Sequence, residues 1–205
     1  MRRTSFTDAR LLADNMRIGI MGGTFDPIHN GHLILGRDAR EALDLHKLIF
    51  VPNWRSPHKP EGCPAPAELR AAMVKAAIGR EPGFDLDEVE IVRGGTSYTI
   101  ETLLHLRRLY PEADILYLIG EDNLAQLHTW RRIEEIHHLV QLVILARGTD
   151  GPAHPYITLH QRRVDISSTE VRERIAKGQS IRYLVPEQVR DIIENHQLYR
   201  GDLSS

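Results

Sequence analysis

A chain of 205 residues with 41% hydrophobic content can bury one substantial core, and this length argues for one domain or one with a small appendage. Lys and Arg total 26 against 28 Asp and Glu, so there is no basic field to hold phosphates, which argues against a polymeric nucleic acid as partner. The single cysteine, Cys63, forbids an internal disulfide, and no apolar run is long enough to span a membrane. The expectation is a cytoplasmic protein without membrane contact.

The opening MRRTSFTDARLLADN (1–15) lacks an apolar stretch and a small-residue cleavage site, so it does not read as a secretory signal. It is expected to be a disordered N-terminal extension, with Met16 a second candidate start and residues 16–205 a single domain. Apolar runs of strand length then alternate with segments of helical period. The strands are RIGIMG (17–22), KLIFVP (47–52), FDLDEVEI (84–91), ILYLIG (115–120) and LVILAR (142–147). Helices are expected over 31–45, 65–79, 99–110 and 123–136, each with Leu, Ile, Met or Ala on one stripe. The proline-rich RSPHKPEGCPAPAE (55–68) and RGTDGPAHPY (147–156) read as surface loops. Beyond the last clear strand, Ser167 with Glu170 three residues on forms a capping box, Gly178 is a candidate C-cap, and Pro186 stands at the first turn of a final helix. The class is therefore α/β: a Rossmann-like doubly wound parallel sheet, helices on both faces, and a small C-terminal helical segment.

GGTFDPIHNGH (22–32) carries the first strand into the first helix, where the carboxyl ends of parallel strands form a ligand crevice. Gly22 and Gly23 let backbone approach a ligand, and the following helix offers unpaired N–H groups and a positive dipole end, which suits a phosphate. His29 and His32 fall on one helix face and can both reach an anion across that end. The stretch matches neither the dinucleotide fingerprint nor the P-loop. Asp26, His29 and His32 as a zinc set lacks a Cys or second carboxylate nearby, so no metal site is assigned.

Taken with ISSTEVR (166–172), this stretch resembles the paired signatures of the nucleotidyltransferase superfamily, an H-x-G-H element and an I-S-S-T-x-x-R element that close on the triphosphate of ATP. Within it the chain is most similar to the bacterial nicotinate-nucleotide adenylyltransferases, through PNWRSPHKP (52–60), SYTIETL (97–103), IGEDNLAQLHTW (119–130) and YLVPEQVRDIIENHQLY (183–199). The likeness runs from Met16 to Tyr199. It implies attack by the phosphate of nicotinate mononucleotide on the α-phosphorus of ATP, with Mg²⁺ carried by the nucleotide. By the same resemblance His29, His32 and Arg172 are the catalytic groups. Gly22, Gly23, Thr24, Phe25, Ser168 and Thr169 contact the phosphates, while Gly120, Asp122 and Arg147 border the adenosine. Asn53, His58, Lys59, Tyr98, Thr99 and Trp130 receive the mononucleotide, Tyr98 and Thr99 facing its carboxylate.

Bland readings stand beside these: Trp130 as core on an amphipathic helix, Lys59 as a solvated charge, Asn53 as a turn residue. Trp54 is either a ligand lid or an interface anchor, and a homo-oligomer is compatible with the sequence. Two other functions use the same features. A phosphopantetheine adenylyltransferase shares both phosphate signatures but is a shorter chain without SYTIETL and HTW, and a non-catalytic nucleotide sensor could dispense with the histidines that are present here.

Overall fold

The computed structural model describes residues 16–58, 62–146 and 154–201. Six parallel strands lie in the order β3-β2-β1-β4-β5-β6. They are β1 (Arg17–Gly23), β2 (Lys47–Pro52), β3 (Phe84–Leu86), β4 (Asp114–Gly120), β5 (Gln141–Ala146) and β6 (Ile157–His160). Between and after them run α1 (Asn30–Ala42), α2 (Ala67–Ile78), α3 (Val89–Arg93), α4 (Thr99–Leu109), a 3₁₀ helix (Glu121–Thr129), α5 (Ile133–Leu139), α6 (Ser168–Ala176) and α7 (Glu187–Asn195). The order reverses between β1 and β4, the switch point of a doubly wound sheet.

The inner strands β1, β2, β4 and β5 are almost wholly apolar because both faces are covered, and successive side chains serve opposite cores. Leu48, Phe50, Leu116, Leu118, Val143 and Leu145 face one core, shared with α1, α2, α6 and α7. Ile18, Ile20, Ile49, Val51, Ile115, Ile119 and Ile144 face the other, shared with α4 and α5. The C-terminal helices are not an appendage. Val171, Val189 and Ile193 are buried in the same cluster as Phe50, so α6 and α7 complete one helical layer.

Three local expectations are corrected. Residues 84–91 are not one strand: the Asp87 carboxylate accepts the Val89 N–H at 2.8 Å, the chain turns, and α3 follows until Gly94 at φ 69°. This local side-chain bond ends the strand, and Glu90 is buried in the short helix that follows. Residues 123–136 are not one helix either. The chain extends at Trp130 and Arg132 adopts φ 57°, because the Trp130 ring anchors edge-on against Tyr117, centroids 5.9 Å apart. The third is an addition: β6 is too short and too exposed at the sheet edge to give a periodic signal. At the capping box, Ser167 Oγ accepts the Glu170 N–H at 3.0 Å, and Gly178 sits at φ 66°. Pro186 is the N-cap of α7, one position earlier than a first-turn residue. The expected extension at 1–15 and most of the 147–156 loop lie outside the described residues.

Candidate active site

At the end of β1 the two glycines are demanded first by the protein's own side chains. A Cβ on Gly22 would stand 2.5 Å from the Tyr117 hydroxyl, and one on Gly23 would stand 2.8 Å from the Phe25 ring. Phe25, at φ 49°, folds back over the strand end and presents its ring to His32, centroids 5.1 Å apart and edge-on. His29 is the N-cap of α1, and its backbone N–H donates to His32 Nδ1 at 3.2 Å. A neutral imidazole that accepts at Nδ1 carries its proton on Nε2, so the bond selects the tautomer of His32. The His29 ring stacks on that of His32 at 3.7 Å and is itself buried. His32 is thus fixed between two rings, with His29 behind it.

The start of α6 grips the same loop from the other side. Ser168 Oγ donates to the Pro27 carbonyl at 2.9 Å, and Arg172 Nη1 donates to the Asp26 carbonyl at 2.7 Å while Nη2 reaches Thr169 Oγ1 at 3.2 Å. The buried Asp26 carboxylate accepts the Tyr199 hydroxyl at 2.7 Å, which ties the chain beyond α7 to this turn. Burial first, then that bond to Asp26, pushes the Tyr199 hydroxyl far above the usual tyrosine range.

The opposite wall is built from the loop after β2, the start of α4 and the end of the 3₁₀ helix. Asn53 donates its backbone N–H to Gly23 O at 2.9 Å and its amide to Thr24 Oγ1 at 3.2 Å, so it joins the two strand ends. Trp54 N–H donates to Ser97 Oγ at 3.0 Å. Tyr98 is the N-cap of α4 and its side chain leaves the first turn uncapped, with the Arg131 guanidinium 4.8 Å above its ring. Glu90 is buried beneath this wall and takes hydroxyl donors from Thr102 and Ser97. Burial raises its carboxyl above the ordinary value, against the lowering effect of those hydroxyls. Burial likewise raises the Tyr117 hydroxyl, reinforced by the charge of Glu90.

These walls enclose a cavity of about 440 Å³ at the switch point between β1 and β4. Of the residues singled out in the sequence, Gly22, Gly23, Thr24, Phe25, His32, Asn53, His58, Tyr98, Thr99, Gly120, Trp130 and Ser168 line it. His29, Asp122, Thr169 and Arg172 are not on its surface, and Lys59 and Arg147 lie outside the described residues. Ser97 and Asn123, which lie in the quoted SYTIETL and IGEDNLAQLHTW motifs without an assigned role, line it too, as do Arg131 and Glu90, which the sequence did not single out. Arg131 adjoins the quoted HTW motif, whereas Glu90 was hidden by the strand pattern over 84–91.

A doubly wound sheet whose switch point carries this glycine-histidine turn defines a nucleotidyltransferase, and residues 20–174 match the cytidylyltransferase-like family. A relative from Exiguobacterium sibiricum named "Probable nicotinate-nucleotide adenylyltransferase" is 41% identical over 192 residues, covering 90% of this chain and 99% of the relative. One from Thermus thermophilus is 41% identical over 189 residues, covering 90% and 100%. Among solved structures, the Plasmodium falciparum nicotinic acid mononucleotide adenylyltransferase complexed with NaAD superposes with a TM-score of 0.74 at 19% identity, covering 90% of this chain and 98% of that one, which is a likeness of fold. The chain belongs to the nicotinate-nucleotide adenylyltransferase family. Among the described residues no helix is long and apolar enough to cross a membrane.

Proposed function

We propose that this chain transfers the adenylyl group of ATP to the phosphate of nicotinate mononucleotide, releasing pyrophosphate and forming nicotinate adenine dinucleotide in NAD biosynthesis. The observation that carries this reading is the single cavity lined on one side by Gly23, His32 and Ser168 and on the other by Tyr98, Thr99 and Trp130. Phosphate chemistry and a pyridine site share one space.

A phosphate oxygen of the mononucleotide attacks the α-phosphorus of ATP, and the bond from that phosphorus to the bridging oxygen of the β-phosphate breaks. The attacking oxygen is already ionised near neutrality, so the protein need not remove a proton; it positions the reactants and stabilises charge. His32 Nε2–H is the donor toward the phosphoryl oxygens, and the stacked His29 ring holds it there. Thr24, with the N–H groups near Gly23 and Phe25, lies along the phosphate chain. Ser168, on the cavity wall at the N-terminus of α6, is assigned to the departing pyrophosphate, with Thr169 and Arg172 behind it, outside the lining and bonded to each other. Gly120, Asp122 and Arg147 are assigned to the adenosine.

Mg²⁺ enters with ATP. Glu90 is the one carboxylate among the described residues on the cavity wall, and no trio of His, Cys, Asp or Glu among them could hold a metal, so this donor set suits an ion ligated by the nucleotide's own phosphates. On the acceptor side, Trp130 offers a ring face to the pyridine, and the first turn of α4 at Tyr98 and Thr99 turns N–H groups and its dipole toward the carboxylate. Arg131 adds a cation there. Asn53, His58 and Lys59 are assigned to the mononucleotide phosphate.

The test is product identity. Purified protein with ATP and Mg²⁺ is offered nicotinate mononucleotide or phosphopantetheine, and pyrophosphate and the adenylylated product are measured by mass spectrometry. Nicotinate adenine dinucleotide with equimolar pyrophosphate is expected from the first alone. Turnover with phosphopantetheine only, or ATP binding without turnover of either, would establish one of the other two readings.

A further inference from the structure

Helix α2 carries a cation on its inner face. Arg70 is 1% exposed and ranks with the apolar side chains as one of the largest fully buried groups of the protein. A buried guanidinium is costly unless its donors are all occupied and its charge is answered. Here every acceptor is neutral. Nη1 donates to the Thr24 carbonyl at 2.6 Å and points to Asn53 Oδ1 at 3.4 Å, Nη2 donates to the Trp54 carbonyl at 2.8 Å, and Nε donates to the Ala65 carbonyl at 3.3 Å. Among the described residues no carboxylate pairs with it.

Ala65 stands just before α2, but the other three acceptors follow the two strand ends that form opposite halves of the cavity. Thr24 follows β1 on the ATP side; Asn53 and Trp54 follow β2 on the mononucleotide side. Asn53 closes the figure with its bonds to Gly23 O and Thr24 Oγ1. The Trp54 residue is held on both sides, its N–H by Ser97 Oγ and its carbonyl by Arg70. Arg70 itself does not reach the cavity surface. Its planar fork binds both halves from behind, Thr24 through Nη1 and Trp54 through Nη2, while Asn53 links them directly.

We propose that Arg70 is a positioning residue that fixes the ATP half of the site against the mononucleotide half, so that the two substrates meet in line. This rests on the adenylyl-transfer reading. Displacement at phosphorus depends on the distance and angle between acceptor oxygen and α-phosphorus, and a misplacement of about 1 Å costs on the order of a hundredfold in rate. Charge alone does not do this work. A lysine ammonium at the same place keeps the charge but cannot span the Thr24 and Trp54 carbonyls as a planar fork does.

The deciding variant is therefore Arg70→Lys. Expected is a fall in kcat of about a hundredfold with the Kd for ATP, measured by calorimetry, unchanged. Without any substrate, amide hydrogen exchange at Thr24, Phe25 and Trp54 to Ser56 is expected to be faster than in the unmodified protein. Undiminished kcat, a fall in kcat matched by an equal loss of ATP affinity, or unchanged exchange would each overturn the proposal. The exchange arm needs no turnover, so an unmodified protein that makes no dinucleotide sinks the functional reading while Arg70 is still decided. Where Arg70→Lys does not fold, nuclear magnetic resonance of the unmodified protein decides: the Arg70 Nε–H signal should be protected and should shift when both substrates are bound. A signal exchanging like that of a surface arginine would overturn it.

Discussion

On the proposed reading His32 is the ring that meets the phosphates, and its neighbours fix it in place. The backbone N–H of His29 takes up Nδ1, the His29 ring supports one face, and the edge of the contact with Phe25 limits rotation. Removing the imidazole should leave the fold intact, because His32 is on the cavity wall and not in the core. His32→Ala is expected to keep mononucleotide affinity and lose about a hundredfold or more in turnover, as for other donors to a developing oxyanion. Steady-state kinetics on a variant with an unchanged circular dichroism spectrum checks this, and near-normal turnover would remove His32 from the mechanism. At this scale the sequence was most readable where a motif stood on a strand-to-helix turn. The glycines were found for an incomplete reason: ligand approach was evident from the pattern, but the clash with Tyr117 and Phe25 depends on residues brought near only by folding.

Among the elements, α3 has the largest consequence for the site. The bond from Val89 N–H to Asp87 converts an apparent strand into a turn and a short helix, and Glu90 becomes a buried carboxyl under the Ser97–Thr99 segment. Its raised pKa means that the folded state holds a proton that the unfolded chain releases once pH passes the ordinary value of 4.5. Stability from this group is therefore fully present below that pH and is lost as pH rises through the folded-state value. Glu90→Gln, which keeps shape but cannot ionise, should lose this dependence. Urea melts of both proteins from pH 5 to pH 8 (roughly the range above an unperturbed Glu) are expected to show the variant gaining on the parent as pH rises. Parallel curves, or a parent that gains on the variant, would contradict the burial argument. The same element explains a failure of sequence reading. The run over 84–91 has the length and apolar content of a strand, but its alternation breaks at Asp87-Glu88, where the Asx turn forms, and the edge strand β6 lacks enough buried positions to produce a pattern at all.

The whole molecule follows from an alternation legible from β1 through β5, apart from the breaks at 84–91 and 123–136. Strands separated by helical stripes give a parallel sheet, and a strand order that reverses between β1 and β4 opens a crevice there. What could not be read was how distant segments close that crevice: the Tyr199 hydroxyl on Asp26, Arg70 spanning Thr24 and Trp54, Arg131 over Tyr98. These are contacts between positions with no local spacing signal. On the proposed reading they also shape the acceptor end, where the first turn of α4 presents its N–H groups and the Arg131 guanidinium, paired with Glu101 at 3.7 Å, lies over the Tyr98 ring. A site of N–H donors and a cation favours two carboxylate oxygens over an amide, whose NH₂ would face donors without an acceptor, and such buried mismatches are costly.

The central claim is thus most directly tested by kcat/KM for nicotinate mononucleotide against nicotinamide mononucleotide at saturating ATP. The acid is expected to be preferred by about a hundredfold or more, the discrimination of a site built from paired polar groups. Equal specificity constants, or a preference for the amide, would contradict the account of this site.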